Sequence, residues 1–392
     1  MSENGIDFNV GVILPAGGTG KRMGLHQPKQ YSVIWDQPLM YYTVESFHRL
    51  SWIKYIIVVV SKDYVHWMEE FVKKYSFSKV HVAIGADTRH RSIYNGIKMV
   101  EAVCSKPDIV LIHDAVRIFA EEELVKQIAL SAKLHGAAGV TRPLVSTVVA
   151  VGPDRLLSES LDRSLYRCSE MPQAFQYNLI TNAYNKCTED DFLYGTECLL
   201  LALKYSNVKA HIVEGNASLW KVTHKRDLYA AEGILKEKLN MTYLVNIKHD
   251  TKLCSVFKKH FKDKYLKTIV STLEKVVFED SLLNTIVDFV DKDILLQDNI
   301  MELYRDIFST TLSHIKMIVL ICQVEANSEI LQIFSKVSEK YRDHARYLLQ
   351  NHKTLLNVIL TIENQEDNLG QMCADIVWNR SESLNGQTFI LN

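Results

Sequence analysis

The sequence predicts an α/β protein with two domains, a larger one over residues 1–238 and a smaller one over residues 239–392. Over residues 10–235, short β-branched runs alternate with segments of helical spacing. This alternation is typical of a mostly parallel sheet that helices cover on both faces, in three layers. The composition then changes, because all seven prolines lie at or before Pro172 and only two glycines follow Gly233.

The elements of the larger domain follow one another in the order expected for such a sheet. Strands are predicted at the apolar runs 10–16, 55–61, 80–85 and 108–115. Helices are predicted from the spacing of apolar residues at 38–50, 64–75, 91–103 and 121–136. The last of these helices begins with acidic residues and ends at a glycine, as the helix dipole and the C-cap both favour.

A projecting β-hairpin arm is predicted at about residues 143–172. Two extended segments within 145–163 flank a Gly-Pro-Asp turn. An ordinary edge hairpin would have the same pattern. An arm that exposes Val148, Val149 and Val151 would need a partner surface, however, so the pattern also suits a dimer contact.

The smaller domain is also predicted to be α/β. Apolar runs at 241–247, 316–324 and 355–363 are typical of buried strands, and a helical pattern covers 329–349. No glycine-rich turn follows any of these runs, which argues against a nucleotide-binding role in this domain. The basic cluster at 258–267 is interrupted by apolar residues and is interpreted as the solvated face of a helix. No function is predicted for this domain.

Composition and charge argue against several classes of protein. The 392 residues carry a formal net charge of −1, which disfavours a nucleic-acid binder that works by bulk electrostatics and a polybasic membrane anchor. No apolar run is long enough to span a bilayer, and the first residues lack the pattern of a signal peptide. The seven cysteines are scattered without a CxxC motif, which favours reduced thiols in the cytosol over a disulfide framework or a zinc site.

The first candidate site is the segment ILPAGGTGKRMGLHQPKQY at residues 13–31. Gly17, Gly18 and Gly20 follow a predicted strand, where they would let backbone N–H groups point at phosphate oxygens. The spacing matches neither GxxxxGK[ST] nor GxGxxG, so the segment is neither an ATPase-type P-loop nor a dinucleotide fingerprint. A tight strand-to-helix turn would use the same glycines.

Three cations beside these glycines favour a phosphate ligand. Lys21, Arg22 and Lys29 would repel one another unless an anion lay between them, and a triphosphate supplies that charge. Pro28 restricts the chain before Lys29 and helps to direct its ammonium group. Nucleotidyl transfer needs such a layout, because both reactants are anions and catalysis is mainly positioning and charge neutralisation. Magnesium held mainly by the nucleotide phosphates would add to that neutralisation.

Polar residues also follow two further predicted strands. They lie in the segments GADTRHRS at 85–92 and HDAVR at 113–117. Because ligands bind at the carboxyl ends of the strands in an open parallel sheet, we expect these residues to line one site with the glycine segment. Two simpler interpretations stay open: Asp114 as an N-cap or turn carboxylate, and Arg117 as part of a surface ion pair.

Four motifs occur in an order that resembles a known enzyme family: LPAGGTGKRM…PKQY, GADTRHRS, HDAVR and LWKVTHKRDLYAAE. They resemble the cytidylyltransferases of the methylerythritol-phosphate family and their ribitol-5-phosphate relatives, over about residues 10–235. The segments TRHRSIYNGIK, SEMPQAF and YGTECLLLALKY, with the extra C-terminal domain, are most similar to the animal ribitol-5-phosphate branch. The resemblance implies a Rossmann-like, three-layer nucleotidyltransferase domain.

The resemblance also implies roles for individual positions. The catalytic cations that hold the triphosphate correspond to Arg22, Lys29 and Lys221, although Lys221 taken alone would be interpreted as a surface lysine. Arg163 corresponds to an arginine that reaches the acceptor phosphate of the other subunit, which implies a homodimer through the arm. The nucleotide-binding positions, including the loop glycines described above, are Ala16, Gly17, Gly18, Gly20, Ala86, Asp87, Ser92, Asp114 and Ala115. The acceptor-binding positions are Arg117, Arg163 and Thr196.

Departures from the methylerythritol pattern lie on the acceptor side. This chain has Gly195-Thr196-Glu197 in place of Thr-Asp-Glu, and Met171 in place of a threonine. Ala86 replaces a usual glycine, but its backbone can serve in the same way. The expected reaction is therefore transfer of CMP from CTP to D-ribitol 5-phosphate, which gives CDP-ribitol and pyrophosphate. In animals this product would supply ribitol phosphate to glycans such as those on dystroglycan.

Three alternatives stay open at the level of sequence. The first is the same chemistry on methylerythritol phosphate or another pentitol phosphate. The second is an inactive scaffold whose C-terminal domain binds a partner, although the presence of Arg22, Lys29, Asp114 and Lys221 together argues against it. The third is a fused reductase, which the missing glycine fingerprint after residue 235 opposes.

Overall fold

The computed structural model describes residues 5–20, 24, 27–35, 37–103, 106–276, 283–297, 299–305, 316–325 and 330–391. The chain divides into two compact units, Met1–Leu228 and Tyr229–Asn392. The sequence places the boundary about ten residues later, at 238/239. Both positions lie within one helix, Lys225–Leu239, so the helix itself joins the two units.

The described residues of the first unit form a seven-stranded sheet. Its strands are β1 Val10–Pro15, β4 Ile53–Val60, β5 Val80–Ile84, β6 Ile109–Ile112, β7 Ala137–Pro143, β10 Arg167–Gln176 and β11 His211–Glu214. They lie in the order β11-β7-β10-β6-β1-β4-β5. Neighbouring strands are parallel except where β10 pairs with β6 and β7, so a mostly parallel sheet is confirmed. Two short antiparallel pairs lie outside it, β2 Val33–Ile34 with β3 Gln37–Pro38, and β8 Val149–Val151 with β9 Leu157–Ser160.

Helices cover both faces of this sheet. In β4, Ile57 and Val59 pack in one apolar cluster with Ile93 and Ile97 of the helix α3. The intervening residues of β4, which point to the opposite face, are equally buried. The helices are α1 Leu39–His48, α2 Val65–Lys74, α3 Arg89–Val103, α4 Glu122–His135, α5 Tyr177–Asn185, α6 Glu189–Tyr194, α7 Cys198–Ser206 and α8 Lys225–Leu239. The predicted helices and strands of this domain are confirmed.

The predicted hairpin arm is present as the separate β8–β9 pair. Its apolar side chains are open to solvent in the single chain: Val149 is 44% exposed, Val151 61% and Leu157 70%. Contiguous exposed apolar residues on a projecting hairpin are typical of a surface that meets another molecule.

The described residues of the second unit form a six-stranded, wholly parallel sheet. Its strands are β12 Asn240–Val245, β13 Lys267–Ser271, β14 Leu283–Phe289, β15 Lys316–Gln323, β16 Thr354–Thr361 and β17 Thr388–Leu391. They lie in the order β13-β12-β14-β15-β16-β17. Three of them, β12, β15 and β16, were predicted from their apolar runs.

Sequence reasoning missed the other three strands for two physical reasons. Strands β13 and β17 lie at the edges of the sheet and are only partly buried, and their apolar runs are only two and three residues long. Strand β14 is central, but it carries the buried polar residues Asn284, Thr285 and Asp288, which interrupt the pattern of a core strand.

Helices also cover both faces of the second sheet, because two separate apolar clusters form on it. One contains Ile286 of β14 with Val337 and Tyr341 of α11, and the other contains Val287 of β14 with Phe257 of α9. The predicted basic helix face is confirmed, since the lysines of α9 lie in solvent while its phenylalanines are buried. The helices are α9 Lys252–Asp263, α10 Lys292–Leu296, α11 Ile330–His352 and α12 Glu366–Trp378.

Within the described ranges, no helix is both long and apolar enough to cross a membrane. The cysteines that the structure describes are all free thiols.

Gly96 allows α3 to lie close to the sheet. A Cβ atom at this position would come within 2.7 Å of Ile13 Cγ2 and 3.0 Å of Val59 Cγ2, both on rigid buried side chains. We expect Gly96→Ala to lower the free energy of unfolding by about 1–3 kcal/mol through overpacking. Calorimetric unfolding of the full chain measures this effect.

Gly233→Ala is the matched control, because Gly233 is also helical and a Cβ there would meet no atom of the described residues within 4 Å. We expect this change to stabilise the chain by about 0.5–1 kcal/mol, the usual gain of alanine over glycine in a helix. Equal effects of the two substitutions would show that Gly96 is not needed for the packing of α3.

Candidate active site

The glycine segment after β1 is held in place by a buried glutamine. Gln30 Nε2 donates to the carbonyl oxygens of Ala16, at 2.5 Å, and Gly18, at 2.9 Å. Gly20 has a left-handed backbone with φ of +68°, and a Cβ there would lie 3.0 Å from the backbone nitrogen of Lys29. The loop thus needs glycine at this turn, and Gln30 fixes its shape without using the backbone N–H groups.

A cleft of about 380 Å³ lies at the carboxyl ends of β1, β5 and β6. The structure brings eleven of the predicted site residues together there, although they come from four distant parts of the chain. They are Ala16, Gly17, Gly18, Gly20, Lys29, Ala86, Asp87, Ser92, Asp114, Ala115 and Lys221. Sequence reasoning missed four further polar residues of the lining, Thr19, Gln30, Thr88 and Thr223, whereas Arg89, which also lines the cleft, lies within a motif it had singled out.

The buried carboxylate of Asp114 lies at the centre of the charged groups in the cleft. Its Oδ2 is 3.0 Å from Lys221 Nζ and 3.2 Å from Arg117 Nε, and its Oδ1 is 3.5 Å from Arg89 Nη2. Burial by itself would raise the pKa of Asp114, but the charges of Lys221, Arg89 and Arg117 outweigh it and hold the pKa well below its ordinary value. Asp114 is therefore an anion that orients three cations, rather than a simple turn residue.

Lys29 and Lys221 reach the cleft from segments almost two hundred residues apart. Lys29 Nζ donates to the carbonyl oxygen of Val222 at 2.6 Å. The N–H of Val222 in turn donates to the carbonyl of Val116 at 3.1 Å, which ties the Lys221 segment to the loop after β6. Asp227 fixes the other side of this segment, because its carboxylate accepts from the N–H of Thr223 at 2.8 Å.

The loop after β5 forms the opposite wall of the cleft. Ser92 Oγ accepts from the N–H of Ala86 at 3.0 Å and donates to its carbonyl at 3.2 Å. A Cβ at Gly85 would lie 3.0 Å from Ser92 Oγ, so a glycine there allows the serine to approach the backbone. The loop presents backbone groups and the exposed carboxylate of Asp87 to the cleft.

Three predicted acceptor-binding residues lie outside the described lining of the cleft. Arg117 is largely but not fully buried, with 11% of its side chain exposed, and it donates to Asp114, to the carboxylate of Glu170 and to the carbonyl of Leu219. Arg163 is exposed on the arm, where Nη1 donates to the carbonyl of Val145 at 2.8 Å.

Thr196 is exposed just before α7. Arg22, a predicted catalytic cation, and Lys21 beside it lie outside the described residues.

Glu170 was missed by sequence reasoning, although it lies in the SEMPQAF segment. It is buried and bridges Arg117 to Arg142, whose Nε is 2.8 Å from Glu170 Oε1. These ion pairs could not be predicted from a local sequence pattern, because Arg117 and Arg142 lie 53 and 28 residues before Glu170 in the chain. The bridge connects β10 to the loop that carries Asp114.

The segment Gly195-Thr196-Glu197 is anchored next to the site. A Cβ at Gly195 would lie 2.3 Å from the carbonyl of Asp191 and 2.9 Å from His90 Nε2, so a side chain is excluded there. Glu197 accepts from Gln173 Nε2 at 2.6 Å and from the N–H of Leu199 at 3.1 Å, which fixes the start of α7. This packing gives a local reason for a glycine at this position.

His113 makes the stability of the site depend on pH. It is fully buried beside Asp114, with Nε2 2.8 Å from the carbonyl of Arg117. Burial lowers its pKa to about 4, although the Arg117 carbonyl and Asp114 act against this. The folded state therefore binds fewer protons than the unfolded state. The free energy of unfolding should fall by about 3 kcal/mol as pH drops from about 6.5 to about 4, and this contribution should be constant below that.

His113→Gln should flatten this part of the profile, measured by urea unfolding between pH 4 and 7.5. His66→Gln is the control, because the His66 side chain is 85% exposed. His90, whose pKa burial and Arg89 lower to about 4, acts in the same direction and remains in both variants. Identical pH slopes for His113→Gln and the unaltered chain would contradict the assignment.

Comparison with known proteins identifies the family. The model for IspD, 2-C-methyl-D-erythritol 4-phosphate cytidylyltransferase, matches residues 10–237. A D-ribitol-5-phosphate cytidylyltransferase of Xenopus tropicalis is 38% identical over 406 aligned positions, which cover 97% of each chain. A Homo sapiens protein of the same name is 46% identical over 264 positions, which cover 66% of this chain and 58% of the human one.

A solved structure supports the same conclusion for the first unit. The crystal structure of 4-diphosphocytidyl-2C-methyl-D-erythritolsynthase from Anaerococcus prevotii is 26% identical and superposes with a TM-score of 0.50. The match covers 58% of this chain and 95% of the bacterial chain. The family model matches residues 10–237, and the cleft lies at the carboxyl ends of three strands within that range. The chain therefore belongs to the IspD family of cytidylyltransferases.

Proposed function

We propose that this chain transfers CMP from CTP to D-ribitol 5-phosphate and so releases CDP-ribitol and pyrophosphate. The observation that carries the proposal is the cleft itself, in which Lys29 and Lys221 lie with the glycine loop at the carboxyl edge of the sheet of a cytidylyltransferase-family member. The choice of acceptor rests on the name of the Xenopus tropicalis relative, a D-ribitol-5-phosphate cytidylyltransferase, which matches along both units of this chain.

In the reaction we propose, the acceptor phosphate is the nucleophile. One of its oxygens attacks the α-phosphorus of CTP, and the bond from that phosphorus to the bridging oxygen of the β-phosphate breaks. Pyrophosphate leaves with the electron pair. A phosphate dianion needs no general base near neutral pH, so the work of the protein is to position two anions and to offset their charge.

We assign the charge-offsetting role to Lys29 and Lys221, with Arg22 as a further cation whose placement is not described. Asp114 keeps Lys221 and Arg89 oriented, which lowers the reorganisation needed when negative charge shifts to the leaving group. The backbone N–H groups of the loop from Ala16 to Gly20 would bind the nucleotide phosphates.

We assign recognition of the cytosine and the ribose to the loop after β5. Ala86 and Ser92 fix a backbone that can pair with the polar edge of a pyrimidine, and Asp87 is an exposed acceptor for ribose hydroxyls. A lining of backbone groups suits a small base better than a purine. Asp114 and Ala115 would contact the nucleotide from the loop after β6.

We propose magnesium as the cofactor, held mainly by the CTP phosphates. The chemistry of the donors fits this arrangement, because the buried carboxylate of Asp114 is already bound to three cations and Asp87 remains as the exposed carboxylate of the cleft. The described ranges contain no group of three residues that would hold a metal ion by themselves. When bound, the ion would neutralise phosphate charge.

We further propose a homodimer that forms through the β8–β9 arm, with Arg163 reaching the acceptor phosphate in the partner's cleft. Exposed apolar side chains on the arm and the exposed position of Arg163 support this arrangement. Arg117 would act indirectly, by holding Asp114 and Glu170, while Thr196 would contact the acceptor.

The cellular setting is also proposed. Free thiols among the described cysteines are typical of a reducing compartment, so we place the protein in the cytosol. A net charge of −1 supports small-molecule substrates rather than nucleic acid. CDP-ribitol would then supply ribitol phosphate for addition to glycans such as those on dystroglycan.

Loss of a cleft lysine should slow turnover far more than loss of a lysine elsewhere. We expect Lys29→Ala and Lys221→Ala each to lower kcat by about 10²-fold or more, because each removes a fixed charge from the reacting phosphates. Lys73→Ala on the exposed face of α2 should leave kcat unchanged. Pyrophosphate release from CTP is measured with ribitol 5-phosphate, methylerythritol phosphate and xylitol 5-phosphate as acceptors.

Two outcomes would contradict the proposal. Full turnover by Lys29→Ala would remove the assigned role of the cleft. A higher kcat/KM with methylerythritol phosphate than with ribitol 5-phosphate would keep the chemistry but change the acceptor.

Mixing two inactive variants tests the shared site. If Arg163 acts in the partner's cleft, Arg163→Ala and Lys29→Ala subunits should form mixed dimers with one intact site and recover up to about a quarter of full activity. Arg155→Ala, on the turn of the same arm, should be active alone and needs no complementation. A mixture with no more activity than its components would place Arg163 in its own subunit's site or outside it.

A further inference from the structure

The second unit has a crevice where its strand order reverses. The chain passes from β12 to β13 on one side, and β14 then pairs with β12 on the other side. The connections that leave β12 and β14 therefore diverge at the carboxyl edge of the sheet. In doubly wound sheets, ligands bind in the crevice at this switch point.

A cavity of about 550 Å³ lies at this edge. It is lined by residues that end or follow four parallel strands, β12, β14, β15 and β16. Its volume is in the usual range for a small-molecule site. The cleft of the first unit also lies at the carboxyl ends of its strands, but different types of side chain line the two cavities.

The lining is rich in uncharged and acidic side chains. Among the described residues that line the cavity, Lys248 is the one lysine or arginine, against the carboxylates of Asp291, Glu363 and Glu366. No lining residue of the described chain is a glycine. The amino end of α9 is already capped, because Thr251 Oγ1 accepts from the N–H of Cys254 at 3.2 Å. This charge balance and the capped helix disfavour a phosphate ligand.

Asn246 is held towards this cavity by a buried carboxylate. It follows β12 with a left-handed backbone, φ of +56°, and lines the cavity. Its Nδ2 donates to Asp288 Oδ1 at 2.8 Å, and Tyr304 Oη donates to Asp288 Oδ2 at 2.6 Å. Because Nδ2 is used in this bond, the amide oxygen of Asn246 is fixed as an acceptor.

Two further side chains offer hydrogen bonds to a ligand. Asp291 begins α10 without a side-chain capping bond, and it is exposed in the cavity. Thr361 is buried at the end of β16, where its hydroxyl meets the carbonyl of Ile362 at a long 3.2 Å. Fixed acceptors beside a carboxylate suit hydroxyl donors, and two neighbouring hydroxyls of one ligand can be bound by such a pair of acceptors.

We propose that this cavity binds an uncharged molecule with a vicinal diol, either a free polyol or the ribose of a nucleoside. Asp291 accepts from the diol, Asn246 accepts from a neighbouring hydroxyl, and Thr361 contacts the ligand at the floor of the cavity. The second unit is thereby a small-molecule sensor or a second substrate site on the same chain, distinct from the cleft of the first unit.

The test is calorimetric titration of the full chain with ribitol, adenosine, 2′,3′-dideoxyadenosine and pyrophosphate. We expect ribitol or adenosine to bind, and the dideoxy compound to bind at least about tenfold more weakly because it lacks the diol. Asp291→Asn and Thr361→Val should each weaken binding by about tenfold or more. Asp293→Asn, on the same helix but outside the cavity, should leave binding unchanged.

Lys29→Ala separates the two sites, because it alters the first cleft alone. The proposal would be overturned if Lys29→Ala abolished binding of the diol while Asp291→Asn left it intact. It would also be overturned if adenosine and its dideoxy analogue bound equally well. Absence of binding by both ribitol and adenosine would also overturn it. Pyrophosphate binding that Lys248→Ala abolishes would show a phosphate site instead.

Discussion

The active cleft depends on a single buried carboxylate. Asp114 lies within 3.5 Å of three cationic side chains, and these come from α3, from the loop after β6 and from the segment before α8. Removing one partner of a buried ion pair typically costs about 3–5 kcal/mol, because the remaining charge is left uncompensated. The three segments are therefore held together by electrostatics in a place where the apolar core ends.

The pairing of cations with buried carboxylates and carbonyl groups also explains how a cleft with several cations is stable without a bound anion. Arg117 lies outside the described lining of the cleft and is bound to Glu170 and Asp114, so part of the positive charge is neutralised within the protein. Lys29 is bound to a backbone carbonyl near Lys221, where both ammonium groups lie beside the glycine loop. A polyanion can then bind to preformed groups, and little of the binding energy is spent on ordering them.

The two units use the same geometrical rule with different chemistry. Each has a sheet whose parallel strands deliver loops to one edge, and each has a cavity there. In the first unit the loop after the first strand is rich in glycine and is flanked by lysines, which suits phosphate. In the second unit the corresponding loop has a left-handed asparagine held by buried Asp288, and carboxylates outnumber cations. The fold thus places a site, and the side chains at the strand ends decide what it binds.

The amino-acid sequence was sufficient to predict the alternation of strands and helices, the hairpin arm and most residues of the cleft, because these features depend on local patterns and on motifs at strand ends. It did not determine β13, β14 and β17, since edge exposure and buried polar residues hide those strands from a pattern of apolar runs. The contacts of Gln30 and Glu170, and the pairing of Asp114 with Arg89 and Lys221, could not be predicted from local patterns. These hydrogen bonds and ion pairs join residues far apart in the chain, and such contacts exist only after the sheet has brought its strand ends to one edge.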